Sequence, residues 1–240
     1  TAAIAYFCVG YAFAFGGDFN ESPITATTFI GTENFLGMGN YSLPFYFFQY
    51  TFAAASVTIV AGALAERCQM AAYLCYSFFL TGFIYPVVVH AVWSTAGFLS
   101  AGNADPLLGI GMVDFAGSGV VHMTGGTTAL IATYLLGSRR GRFYDLRTGE
   151  PLEVPKSMPG HSVSLQMLGS FILWFGWFGF NPGSALLLTD NPYQADVGAL
   201  CAVNTFLASS GGCMAALVAK VCNTKARTGV ANFDLTAAMN

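Results

Sequence analysis

The stretch Asp114-Phe115-Ala116-Gly117-Ser118-Gly119-Val120-Val121-His122-Met123-Thr124-Gly125-Gly126 combines an acid, a histidine and several small residues. It opens a segment, residues 115–138, that contains no Asp, Glu, Lys or Arg. A helix needs about 20 predominantly apolar residues to cross a bilayer, and this segment is long enough. Ionisable side chains within such a segment are costly, so Asp114 and His122 are the first functional candidates.

Charge-free segments of similar length recur along the chain. Besides 115–138, they cover residues 34–65, 68–104, 157–189 and 197–219, with a shorter one at 1–17. Only 9% of the residues are charged and 55% are hydrophobic, whereas an average soluble domain is about 25% charged. A soluble protein with several buried helices would have too little polar surface, so the sequence predicts an all-α polytopic membrane protein.

Apolar segments and the breaks between them predict six helices. Their approximate ranges are 1–16, 44–65, 70–99, 114–137, 161–181 and 197–219. Pro86 is expected to kink the third of them, because proline lacks the backbone N–H. We see no signal peptide before the first helix and predict that a seventh helix begins near Phe233, so we expect a piece of a longer membrane protein.

Positive charge is confined to alternate connections between the predicted helices. All nine Lys and Arg residues follow the second, fourth or sixth helix, and the other connections carry only acids. By the positive-inside rule the basic connections face the cytoplasm. The basic loop 139–156 could also suggest nucleic-acid or lipid-headgroup binding, but it includes acids. We therefore interpret it as an orientation signal and expect no nucleic-acid partner.

Asp114 and His122 each allow two interpretations. Asp114 is predicted to cap the helix that follows, either alone or while also stabilising a cation near the outer end. If that helix is continuous, His122 lies about 12 Å further along it and on roughly the same side. The imidazole is either a satisfied core histidine or a pore or relay group, since a neutral ring can donate and accept hydrogen bonds.

Other candidate residues are less informative by themselves. Phe48 and Phe52, one turn apart, favour helix packing, and Trp93 favours an interfacial anchor. The six cysteines are scattered without a C-x-x-C motif and are expected to be buried apolar residues, so no metal site and no cofactor are predicted. The chain has no H-E-x-x-H or G-x-S-x-G motif, and we do not expect an enzyme.

The opening stretch resembles the signature of the ammonium transporter/methylammonium permease family, whose relatives include the Rhesus proteins. Four further segments are similar to family motifs: Gly62-Ala63-Leu64-Ala65-Glu66-Arg67, Tyr85-Pro86, His90-Ala91-Val92-Trp93 and Trp177-Phe178-Gly179-Phe180-Asn181-Pro182-Gly183-Ser184. The resemblance covers essentially the whole chain. Phe13-Ala14-Phe15-Gly16-Gly17-Asp18 and the 139–156 loop look more like the plant and protist branch than the bacterial one.

The resemblance implies a fold of eleven helices with an inverted five-helix repeat, assembled in the lipid bilayer as a homotrimer with one pore per subunit. Residues 1–240 would then be a partial transporter domain. They would comprise family helices 2 to 7 and the start of helix 8, without helix 1 or helices 9 to 11. We expect a multi-pass protein of the plasma membrane.

The resemblance also implies a substrate site for ammonium or methylammonium. Its residues would be Trp93, Phe52, Ser184, Phe48 and Asp114. The face of an aromatic ring suits a cation, and a serine oxygen can accept an N–H bond. Phe52 and Phe180 would form the gate beneath this site. His122 would be the first of two pore histidines, and the second would lie past residue 240.

The implied function is ammonium transport, in which NH4+ is recruited outside and NH3 crosses the hydrophobic pore with or without the proton. One alternative is an ammonium sensor that uses the same site without major flux. Another is a Rhesus-type NH3 or CO2 channel, which the tryptophan-containing site argues against. His90 is expected to pack or form hydrogen bonds, Asp234 to serve the start of helix 8, and Asn20 and Asn40 lie in N-glycosylation-type triplets.

Overall fold

A computed structural model describes residues 1–18, 26–186 and 192–239 of the chain. It divides into two compact units, Thr1–Ser157 and Met158–Asn240, each of which is considered by itself. Within the described residues the regular elements are helical, and β-structure is limited to isolated bridges. Asn20 lies outside the described residues, whereas Asn40 is exposed in the first unit.

The described residues of the first unit form four long helices. They are α1, Ala2–Phe15; α2, Leu43–Leu64; α3, Met70–Trp93; and α4, residues 118–136. Short 3₁₀ turns at Phe35–Gly37 and Leu107–Gly109 lie in the connections. Ser42 caps α2 by accepting a hydrogen bond from the Phe45 N–H over 3.4 Å, and a proline follows in the first turn, where its missing N–H costs little.

The second unit contains α5, Val163–Gly183; α6, Pro192–Thr228; and α7, Leu235–Met239. Two side-chain hydrogen bonds join α5 to α6. Asn181 Nδ2 donates to Thr205 Oγ1 over 2.9 Å, and Trp174 Nε1 donates to Ser209 Oγ over 2.8 Å. Such polar side chains hold helices together where the surroundings are apolar.

Asp234 stands immediately before α7 and stabilises its start. Its Oδ1 accepts a hydrogen bond from the Thr236 N–H over 3.0 Å, and its other oxygen lies 3.7 Å from Lys220 Nζ. A carboxylate at a helix start satisfies free N–H groups and complements the helix dipole. The structural role expected for Asp234 is therefore confirmed.

Within the part of the chain that the structure describes, four helices are long and apolar enough to cross a membrane: α2, α3, α5 and α6. The apolar helix α1 is shorter, and α4 is not among those four. All six segments expected to be helical are nevertheless helical over most of their expected ranges. The predicted all-α, polytopic membrane fold is confirmed.

Two predicted helix ends are wrong. The third helix stops at Trp93 rather than near residue 99, because Ser94 adopts an extended conformation with ψ 144°. The sixth helix does not end before the basic residues 220–227 but continues through them to Thr228. This stretch holds no glycine or proline until Gly229, whose φ of +77° ends the helix, and its cations suit the negative end of the helix dipole.

Helices α1 and α3 each contain a π turn, at Tyr6–Gly10 and Leu80–Ile84. The two turns pack against each other. A Cβ on Gly10 would lie only 2.4 Å from the Thr81 carbonyl oxygen, so glycine permits this close approach. Pro86 follows the second π turn, and the helix continues through it to Trp93 because the altered hydrogen-bonding pattern accommodates the missing N–H.

Helices α2 and α4 also form an extensive pair within the first unit. Gly125 of α4 permits this contact, since a Cβ there would lie 2.9 Å from the Ser56 carbonyl oxygen. At the other end of the pair, Arg67 Nε donates to the Gly137 carbonyl over 3.0 Å, and Glu66 forms an ion pair with Arg139. Glu66 and Arg67 thus join the end of α2 to the end of α4.

The cysteines are not buried as expected. All six are free, three of them are exposed and the other three are partly exposed. Two of the exposed ones, Cys75 on α3 and Cys213 on α6, lie on exposed helix faces. No group of side chains that could hold a metal ion occurs within the described residues.

Candidate functional site

Asp114 organises the start of α4 through its carboxylate. Oδ1 accepts hydrogen bonds from the N–H groups of Gly117 and Ser118, over 2.8 and 2.9 Å. Oδ2 accepts from the N–H groups of Gly119 and Val120, over 3.0 and 2.7 Å. These are the groups that a helix start leaves without partners in the helix. The capping function predicted for Asp114 is therefore confirmed.

The helix itself begins four residues later than predicted. Gly117 has φ +91°, a left-handed conformation that favours glycine, and α4 starts at Ser118 with a π turn. Asp114 thus lies in the preceding loop and reaches forward to the helix. The prediction that Asp114 and His122 are separated by about 12 Å of continuous helix is wrong, because only His122 is helical.

Trp93 is the last residue of α3, and its indole is fixed by Asp114. The ring Nε1 donates a hydrogen bond to the backbone carbonyl oxygen of Asp114 over 2.7 Å. Gly117 borders the same ring, since a Cβ at this position would lie 3.3 Å from the indole. The end of α3 and the start of α4 are therefore joined at the indole.

Phe52 packs edge-to-face on Trp93. The ring centroids are 5.5 Å apart with an angle of 75° between the planes, and Phe52 is 1% exposed. Phe48, one turn earlier on α2, packs on Phe52 with a centroid distance of 4.8 Å. The three aromatic candidates of the first unit thus form one cluster, in the edge-to-face geometry that aromatic pairs prefer.

His122 lies on an exposed face of α4 in the second turn of the helix. Its backbone N–H donates to the Gly117 carbonyl oxygen over 2.9 Å, which is a π-type hydrogen bond. The neighbouring Val120 and Val121 are fully buried. The imidazole therefore does not belong to the core of the first unit.

Ser184 and Phe180 belong to the second unit, at the end of α5. The Ser184 hydroxyl donates to the Phe180 carbonyl oxygen over 2.9 Å. Because the hydroxyl proton is engaged within the helix, the lone pairs of the oxygen are what remains for a ligand. The structure thus presents Ser184 as a hydrogen-bond acceptor, and both side chains are partly exposed.

A group of polar residues near Trp93 was not predicted as a unit. His90 is fully buried, and its Nδ1 lies 2.9 Å from the Ala14 carbonyl oxygen. Ser94 is also fully buried and donates to Asp18 Oδ1 over 2.7 Å. The expected hydrogen bonding of His90 is confirmed. The only signal in the sequence was that His90 and Ser94 flank the tryptophan.

Together, the helical fold, the apolar helices and the residues of the first unit define a multi-pass membrane protein. A family model described as the Ammonium Transporter Family matches residues 1–233. The chain belongs to this family. The chain is 41% identical over 216 residues to a protein from Solanum lycopersicum named Ammonium transporter 1 member 3, a match that covers 88% of this chain and 45% of the relative.

A second plant relative supports the same assignment. The protein named Ammonium transporter 1 member 2 from Arabidopsis thaliana is 43% identical over 226 residues, covering 90% of this chain and 42% of the relative. The expected likeness to the plant branch is confirmed. Both relatives are named as transporters rather than enzymes, and the chain spans less than half of the length of either.

The fold also matches a solved structure. The crystal structure of Saccharomyces cerevisiae Mep2 aligns with a TM-score of 0.65 and 22% sequence identity. The alignment covers 99% of this chain and 48% of that chain. At this identity the match establishes the fold alone, and it shows that the helices of the chain form part of this transporter fold.

Proposed function

We propose that the protein carries ammonium across a membrane and that its outer recruitment site includes Trp93 and Phe52. The observation that carries this proposal is the edge-to-face pair of Phe52 and Trp93 beside the capped carboxylate of Asp114. Membership of the ammonium transporter family and two relatives named as ammonium transporters support it.

The chemistry of the aromatic cluster suits a small cation. Cations bind over the faces of Trp and Phe rings within about 6 Å of the ring centre, most favourably where water is excluded. In this proposal NH4+ is held by Trp93 and Phe52, with Phe48 behind them. Ser184 accepts one of the N–H groups of the ion, which separates NH4+ from K+, because K+ has no N–H to donate.

Asp114 acts on the cation through its electric field rather than by direct contact. Its two oxygens already accept four backbone N–H groups, and a direct ligand would have to compete with them. The carboxylate group nevertheless favours a cation nearby. The cap and the support of the cation site are then two effects of one side chain.

Below the recruitment site, Phe52 and Phe180 form the gate and His122 lines the pore. A dry passage penalises a charged species, so NH4+ loses its proton there and NH3 continues past His122. The exposure of His122 in the first unit supports a position along a pore rather than in a core. The proton crosses with NH3 or returns, and both modes use the same residues.

The rest of the proposal concerns the whole protein. Residues 1–240 correspond to family helices 2 to 7 and the start of helix 8. The complete protein is a homotrimer in the plasma membrane, with one pore per subunit. Its basic segments face the cytoplasm, which is supported by the placement of the nine Lys and Arg residues: six follow α2 or α4, and three lie in the C-terminal part of α6.

Uptake of methylammonium by the full-length protein in transporter-deficient cells tests the recruitment site. Trp93→Leu is expected to raise the apparent KM about tenfold, because the loss of a desolvated cation–π contact of about 1–2 kcal/mol changes affinity by that order. Trp177→Leu, a change at an exposed tryptophan of the second unit, is the control and should leave KM unchanged.

An unchanged KM for Trp93→Leu at normal surface expression would contradict the recruitment role. A protein that binds methylammonium but carries no flux would instead be a sensor. Flux of uncharged NH3 that does not respond to Trp93→Leu would indicate a channel of the Rhesus type.

A further inference from the structure

Trp93 occupies a position where a side chain is poorly fixed by its own helix. It is the last residue of α3, and the chain leaves the helix at Ser94. Helix ends open more easily than helix centres, because their final turn lacks part of the hydrogen-bond ladder. The indole therefore depends on contacts from outside α3 to keep one orientation.

One set of such contacts follows Trp93 directly. The Ser94 hydroxyl donates to Asp18 Oδ1 over 2.7 Å and accepts from the Ala96 N–H over 3.1 Å. The carboxylate that follows α1 thus holds the first residue after the tryptophan.

A second set precedes Trp93 by one turn. His90 Nδ1 lies 2.9 Å from the Ala14 carbonyl oxygen, and a carbonyl only accepts, so this nitrogen carries a proton. In the neutral ring Nε2 then accepts from Thr28 Oγ1, 2.8 Å away. Thr28 is anchored in turn, because its N–H donates to the Ala96 carbonyl over 2.9 Å.

We propose that Asp18, Ser94 and His90 are positioning residues that hold the Trp93 indole against Phe52. They fix the backbone on both sides of Trp93, while the Asp114 carbonyl fixes the ring itself. This inference rests on the proposed recruitment role of Trp93. In this inference the end of α1 and the segment 26–31 support Trp93 in the orientation that the recruitment role requires.

The expected consequence is a change in substrate recognition rather than in turnover. Small displacements of a positioned group weaken a contact that depends on distance and angle. Loss of one buried hydrogen bond corresponds to about 1 kcal/mol, and this is about a fivefold change in an equilibrium constant. The support therefore acts on the apparent KM of methylammonium uptake.

The experiment measures methylammonium uptake by the full-length protein carrying Ser94→Ala. The apparent KM is expected to rise about fivefold, with the maximal rate per surface-expressed protein unchanged. Ser77→Ala is the matched control, because Ser77 is a buried serine of α3 whose hydroxyl bonds Thr1 at the other end of the helix. The control should leave KM unchanged.

Two further variants separate positioning from a general structural effect. Asp18→Asn keeps an oxygen that accepts from Ser94 and should retain a KM near that of the unaltered protein, whereas Asp18→Ala should raise it like Ser94→Ala. This pair decides the question if Ser94→Ala does not reach the membrane. Equal KM values for Asp18→Asn and Asp18→Ala would overturn the inference.

A double-variant cycle links the support to the tryptophan. In a Trp93→Leu background, Ser94→Ala should raise KM no further, and a full additional fivefold rise would overturn the inference. The two proposals fail in different ways. If Trp93→Leu alone leaves KM unchanged, the recruitment role fails. If Trp93→Leu raises KM and Ser94→Ala does not, only the positioning role fails.

Discussion

The indole Nε1 of Trp93 donates a hydrogen bond to the backbone carbonyl oxygen of Asp114 over 2.7 Å. The carboxylate of the same aspartate accepts the N–H groups of residues 117–120. One residue therefore joins the end of α3 to the start of α4, and a change that releases the cap also loosens the candidate recruitment site.

The first prediction concerns the cap. Asp114→Ala removes the acceptor of four backbone N–H groups. A lost cap costs about 0.5–2 kcal/mol, and buried donors left without partners add about 1–3 kcal/mol, so the apparent melting temperature of the purified full-length protein should fall clearly. Asp114→Asn, which keeps one oxygen, should fall less. Asp105→Ala in an exposed loop is the control, and an equal effect there would contradict the assignment.

The second prediction concerns Gly117. Its φ is +91°, and a Cβ would lie 2.5 Å from Val121 Cγ2, so Gly117→Ala introduces backbone strain and a steric clash. The expected cost is about 1–3 kcal/mol. Gly126→Ala on the same helix meets nothing within 4 Å and should be neutral or stabilising by up to about 1 kcal/mol. Thermal unfolding followed in detergent compares the two, and a stable Gly117→Ala would be inconsistent with this loop conformation.

The sequence predicted which segments are helical better than it predicted the residues at which the helices begin and end. Charge-free segments indicate which residues are helical, because a long apolar segment has few other stable arrangements in a membrane. The start of α4 was missed because an aspartate can cap from several residues upstream when a glycine adopts a left-handed conformation, as Gly117 does. The continuation of α6 was missed because cations were interpreted as a loop signal, although Lys and Arg are good helix formers.

Only some contacts of the candidate site could be predicted from the sequence. Residues one turn apart, such as Phe48 and Phe52, are neighbours on any helix, so their contact follows from spacing. The support of Trp93 does not follow from spacing, since Asp18 and Ser94 are 76 positions apart in the chain. Contacts of this kind depend on how helices and loops pack, and a single sequence without an alignment contains no direct signal for them.

The third prediction separates two histidines. His122 lies on an exposed face of α4, whereas His90 is fully buried and both of its ring nitrogens have partners. His122→Ala should therefore leave the melting temperature nearly unchanged but abolish or alter ammonium uptake. His90→Ala should lower the melting temperature, because it leaves a cavity and unpaired polar groups, at a cost of about 2 kcal/mol or more. A strongly destabilised His122→Ala protein would contradict the pore assignment.

The last prediction concerns pH and two aspartates outside the membrane-spanning helices. Burial raises the pKa of Asp18, against the opposing effects of the Ser94 hydrogen bond and of His90. By contrast, the N–H groups of Thr148 and Arg147 lower the pKa of Asp145 in the exposed loop 139–156. A pKa that differs between the folded and unfolded protein makes stability depend on pH, with a sign given by the direction of the shift.

For Asp18 the folded protein binds the proton more tightly than the unfolded chain. The resulting stability is present below the ordinary aspartate pKa of about 3.9 and is lost as the pH rises through the higher folded value. The melting temperature of the unaltered protein minus that of Asp18→Asn should therefore decrease between about pH 4 and pH 7.

Asp145→Asn is the control, because the pKa of Asp145 is shifted in the opposite direction to that of Asp18. The lowered pKa of Asp145 stabilises the folded protein at pH values above the ordinary aspartate pKa, and this stability is lost as the pH falls through the pKa of the folded protein. The melting temperature of the unaltered protein minus that of Asp145→Asn should therefore increase with pH. The increase should remain small, because Asp145 is exposed. Thermal unfolding of the full-length protein across this pH range checks both trends. If the melting-temperature difference for Asp18→Asn instead increases with pH, the pKa of Asp18 is lowered in the folded protein. Hydrogen bonds to its carboxylate would then outweigh the effect of its burial.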